Sequence, residues 1–110
     1  MLFRSIEIRE RLSQANPEAY EPDLAASLNN LGLLYSKTQR FSDSETYHLR
    51  ELDIYERLSQ THPEVYEPDL AMSLNNLGNL YRVKKNSVGV KWVIALAVII
   101  VIVAIVILLL

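Results

Sequence analysis

Two histidines, His48 and His62, are the only side chains in this 110-residue sequence suited to both proton transfer near neutral pH and metal ligation. They stand fourteen residues apart, with no H-E-x-x-H spacing and no cysteine anywhere in the chain. His48 falls in helix-patterned sequence and His62 beside Pro63 in a connector, where ordinary structural roles are expected. No G-x-S-x-G elbow and no glycine-rich phosphate loop is present. Glu7, Glu10, Asp53 and Glu56 alternate with Arg9, Arg11 and Arg57 at helical spacing, which favours charge pairing between neighbouring turns rather than general acid–base work. The six tyrosines fall mostly at paired positions, Tyr20 with Tyr66 and Tyr35 with Tyr81, and read as packing. The chain therefore reads as no enzyme, with no cofactor and no metal site.

Elements able to position side chains are set by an internal repeat. Residues 6–36 realign on 52–82 at a constant shift of 46, with 22 of the 31 pairs identical. Tyr20-Glu21-Pro22-Asp23-Leu24-Ala25 returns as Tyr66-Glu67-Pro68-Asp69-Leu70-Ala71, and Ser27-Leu28-Asn29-Asn30-Leu31-Gly32 as Ser73-Leu74-Asn75-Asn76-Leu77-Gly78. Leu24, Leu28, Leu31 and Tyr35 lie on one helical face, and Leu70, Leu74, Leu77 and Tyr81 repeat it. Each unit is thus two helices, of a first and a second type. The expected order is second-type (about 3–15), first-type (22–37), second-type (42–60), first-type (68–83) and a final apolar helix (about 90–110). Pro22 and Pro68 suit a first helical turn, where the missing N–H is harmless. Asp23 and Asp69 then meet the positive end of the helix dipole. Ser42 reads as an N-cap with Glu45 as its capping-box partner. Gly32 and Gly78, inside helices, predict close approach of a neighbouring helix.

Charge and hydropathy divide the chain. Residues 1–82 carry eight Lys/Arg and thirteen Asp/Glu, an acidic balance that argues against nucleic acid as a partner. Lys84, Lys85 and Lys91 follow, and residues 92–110 contain no polar side chain except the indole N–H of Trp92. Nineteen helical residues reach roughly 28 Å, near the roughly 30 Å hydrocarbon core of a bilayer. Trp92 and Lys91 read as membrane-interface anchors, and the lysines favour a cytoplasmic location for the residues before the span. With no ionisable group inside it, the span offers no proton or ion path. Met1-Leu2-Phe3-Arg4 leads directly into charged helical sequence and does not read as a signal peptide. The expected organisation is a repeat region over 1–83, a basic juxtamembrane linker over 84–91 and a transmembrane helix over 92–110. The localisation expected is a single-pass membrane protein held by a C-terminal anchor, with the alternative of a chain cut inside a span.

Leu28, Leu31-Gly32 and Tyr35 resemble the first-helix signature of the tetratricopeptide repeat, and Phe41, Leu52 and Pro63 fit its second helix and closing proline. The Leu-Asn-Asn-Leu-Gly run and the long connector look most like the extended repeats of the kinesin light chain type. The resemblance covers about residues 3–83. It departs from the family at Ser44 and Glu51, where small residues are usual, and at His48, where an aromatic is usual. A buried Glu51 would require a partner. The resemblance implies an all-α, short helix-turn-helix solenoid whose first helices line a groove for an extended peptide or a helix. The groove positions it implies are Asn29, Leu33 and Ser36 in one unit and Asn75, Asn79 and Arg82 in the next. The expected partners are a protein or peptide ligand and the lipid bilayer. One helical pair with half a pair at each end leaves both ends apolar, so the alternatives are a homo-oligomer formed by stacking incomplete repeats, or a remnant of a longer array.

Overall fold

A computed structural model describes residues 2–110, and all of its regular structure is helical. The helices are α1 (Leu2–Ala15), α2 (Pro17–Lys37), α3 (Phe41–Thr61) and α4 (Pro63–Leu109). The described residues form two compact units, 2–80 and 81–110.

In the first unit α2 is the central element. Its Leu24, Ala25, Leu28, Leu31 and Tyr35 are all buried, together with Ile6 of α1 and with Ile54 and Tyr55 of α3. Tyr66 and Leu70 of α4 pack against the same core. The paired-helix solenoid expected from the repeat is what this unit builds.

The helix starts differ from those expected. Pro17 and Pro63, not Pro22 and Pro68, occupy the first helical positions, and the second proline of each pair lies inside its helix. Asn16 caps α2, its side chain accepting from the Ala19 N–H at 3.4 Å. One early proline removes a single backbone bond, and a capped first turn offsets that loss. Ser42 does not cap α3. The N-cap is Arg40, without a side-chain cap bond, and Phe41 opens the helix. The turn before it places Gln39 at φ 61, a left-handed conformation. Arg40 is held there by its ion pair with Asp43 (2.8 Å) and by its guanidinium, 4.4 Å from the centre of the Tyr35 ring. α4 begins at Pro63 and continues through Lys84, Lys85 and Lys91 without the interruption expected between 83 and 90.

Two glycine positions separate the repeats. A Cβ on Gly32 would meet the His48 ring at 2.8 Å, while one on Gly78 would meet nothing within 4 Å. Close helix approach is therefore real at Gly32 and has no counterpart at Gly78. The second unit is the remainder of α4, and its apolar residues from Trp92 onward are exposed.

Candidate protein-binding surface

The residues expected to line a peptide groove are spread over α2 and α4. Leu33 is 38% exposed and Ser36 half-buried on α2, and Asn75 and Asn79 are exposed on α4. Asn29 is half-buried and accepts at Oδ1 from Asn76 Nδ2 at 2.9 Å. The structure thus brings Asn29 together with Asn76, the inter-helix partner, and not with Asn75. Arg82 is exposed and belongs to the second unit, as do Lys91 and Trp92, the latter 68% exposed.

Beneath this surface lies a polar chain whose pairing the sequence left open. Glu51 is buried and doubly partnered: Ser73 Oγ donates to Oε1 at 2.6 Å, and His48 Nδ1 lies 3.1 Å from Oε2. Ser44 Oγ donates to the Gly32 carbonyl at 2.7 Å. The three departures from the family pattern are therefore all buried and hydrogen-bonded: Ser44 ties α3 to α2, and Glu51, paired with His48, ties α3 to α4. Each departure is visible in sequence; their mutual pairing depends on helix rotation, which spacing alone does not give.

The same register recurs one repeat earlier. Ser5 and Ser27 hydroxyls lie 3.5 Å apart, at the positions equivalent to Glu51 and Ser73. Arg9 adds a bond to the Asp23 carbonyl (3.0 Å) and another to Ser27 Oγ. α1 thus meets α2 through the same pair of positions by which α3 meets α4.

A cleft of about 630 Å³ lies over α2 between α1 and α3, with Leu24, Leu28 and Ile54 among its lining residues. Its charged groups pair across it, Arg50 with Glu10 and Arg57 with Glu21 at 3.1 Å. The hydrogen bond from Glu21 is the main cause holding the Arg57 guanidinium above its ordinary pKa, with Asp53 adding to it. Burial, reinforced by Asp69 and Glu51, pushes the Tyr55 phenol up to about 12. Among the described residues no group of three His, Asp or Glu side chains is arranged to hold a metal. His48 is enclosed in the core set and His62 contacts Thr61 and Tyr66 at the surface.

α4 is long and apolar enough to cross a membrane, by length and composition. Neither the curated proteins nor the solved structures contain a match to this chain. Residues 24–64, from the first buried leucine of α2 to the start of α4, match the tetratricopeptide repeat family. That matched segment lies within an all-helical repeat, and the last helix of the chain is a candidate membrane span.

Proposed function

We propose that the protein is a non-catalytic interaction module held at a membrane, where it captures a peptide or a helix of another protein. The observation that carries this reading is the match of residues 24–64 to a repeat family associated with protein–protein interaction, in a chain that also holds an apolar helix of spanning length. The contact stripe is Asn29, Leu33, Ser36, Asn75 and Asn79. Asparagine supplies both a donor and an acceptor, so it reads a peptide backbone without demanding one side chain. Leu33 adds an apolar contact at its centre. Arg82, next on the α4 stripe in sequence, lies in the second unit and is not included.

In this reading residues 84–91 are the basic juxtamembrane segment and 92–110 the span. Lys91 and Trp92 mark the interface, with the repeat on the cytoplasmic side. Anchoring raises the local concentration of the module at the bilayer, which strengthens capture of any partner bound to the same surface.

The test joins the two halves of the proposal. Membranes from cells making the full chain are extracted at alkaline pH beside those making a chain that ends at Lys85. The full chain should stay in the pellet and the short one should wash off. A photo-crosslinker at Leu33 or Asn75 of the full chain should then yield adducts with another protein, and one at Glu56 should not. Equal release of both chains would refute the anchor, and equal adducts at all three positions would refute the groove.

A further inference from the structure

We propose that the uncovered face of α4 binds α1 of a second copy of this chain, head to tail, in the manner in which α2 binds α3. The argument starts from identical residues with different burial. On α2, Ala25 and Leu28 are fully buried and Gly32 is closed over by the His48 ring. Their equivalents on α4, Ala71, Leu74 and Gly78, are exposed, Leu74 at 52%. The α4 seat has the same residues as the α2 seat and lacks the helix that fills it.

What fills the α2 seat is α3. Its Ile54 is 5% exposed and clusters with Leu24 and Leu28, and its Arg57 pairs with Glu21. Shifted by 46, Ile54 becomes Ile8 and Arg57 becomes Arg11, both on α1. Ile8 is 36% exposed and Arg11 is exposed. On the receiving side Leu24, Leu28 and Glu21 become Leu70, Leu74 and Glu67, of which Leu74 and Glu67 are exposed. The chain therefore carries a plug and its seat, including complementary charges at Arg11 and Glu67.

α1 can serve both neighbours at once because α3 already does. α3 uses one face on α2 and reaches α4 through Glu51 and Ser73. α1 uses the matching second face on α2, through Ser5 and Ser27, and leaves the first for a partner. Second-type and first-type helices alternate from α1 to α4, and α1 of the next copy continues the alternation. A lipid surface fits the seat less well, since Glu64, Glu67 and Asp69 lie along the same stretch and would repel anionic headgroups. Such a contact joins two different surfaces, so it propagates rather than closing on itself. It uses the end of the repeat and not the Asn75 and Leu33 stripe, so loss of peptide capture would leave it standing.

The absence of native cysteine makes crosslinking clean. Two differently tagged full chains, Ile8→Cys and Leu74→Cys, are made together in membranes and treated with a short bis-maleimide. The expected product is a dimer containing one of each, at least tenfold above the dimers each chain forms alone. Arg11→Glu on the first chain should remove that product, and Glu67→Arg on the second should restore it. Dimers of Ile8→Cys with itself at equal yield would mean a different pairing and overturn the proposal. So would no mixed dimer, or charge reversal without effect. A dye on Leu74→Cys that shifts on lipid vesicles, with no mixed dimer, would assign the seat to the bilayer and equally overturn it.

Discussion

Glu51 is the residue on which the first unit's polar chemistry converges, with His48 on one oxygen and Ser73 on the other. A buried pair of this kind adds little net stability, but removing one member leaves the other without its partner. His48→Leu alone should destabilise the full chain by about 3 kcal/mol. The double variant His48→Leu with Glu51→Leu should return to within about 1–2 kcal/mol of the parent, because nothing charged is then left buried. Urea titration in mild detergent, arranged as a double-mutant cycle, measures the coupling. Additive losses would show that the two side chains act separately.

At the scale of the helix, Gly32 and Gly78 make a matched pair with opposite surroundings. Alanine is worth about 1 kcal/mol over glycine inside a helix. Gly78→Ala should recover that amount in the dissociated single chain, since an added Cβ there meets nothing within 4 Å. Gly32→Ala should instead destabilise by about 1–3 kcal/mol, because the His48 ring 2.8 Å away is buried and tied to Glu51. Thermal melts of the two variants should move in opposite directions, and a shift of the same sign in both would contradict the packing described. The helices themselves were legible in the sequence, because Leu24, Leu28, Leu31 and Tyr35 keep one face over three turns. Their starts were less so. Pro17 and Pro22 both satisfy the rule for a first turn, and only the Asn16 cap decides between them. Ser42 and Glu45 fit a capping box on paper, but α3 starts at Phe41 with Arg40 as its N-cap. Nothing between Val83 and Val90 breaks a helix except a tolerable Gly89, so α4 runs on where a linker was expected. At the site, the stripe positions could be named from the repeat, but not the bond between Asn29 and Asn76, which joins separate helices.

For the molecule as a whole, Tyr55 offers a readout of how firmly α3 and α4 hold together. It is 9% exposed, faces Tyr66 at 6.4 Å between ring centres, and feels Asp69 and Glu51. Its phenol titrates near 12 in the folded chain against the ordinary 10.0. The folded state therefore binds more protons than the unfolded state between those values, and stability falls as pH rises through that window. Stability linked to this group is fully present below pH 10 and is lost as pH approaches about 12. Tyr55→Phe, which has no proton to lose, should flatten that part of the curve. Urea midpoints measured from pH 9 to pH 12 on both chains test this, and parallel curves would place the alkaline sensitivity elsewhere.

The prolines at the second turns of α2 and α4 carry a kinetic consequence. Pro22 and Pro68 cannot donate to the carbonyls of Glu18 and Glu64, so each helix begins with a turn secured by one bond fewer than its neighbours. Amide protons in the turns from Pro17 and Pro63 should therefore exchange with solvent through local openings that leave the buried leucines undisturbed. Each repeat then has a slow-exchanging centre and a fast-exchanging entrance, and the connectors can breathe on their own clock while the core stays closed.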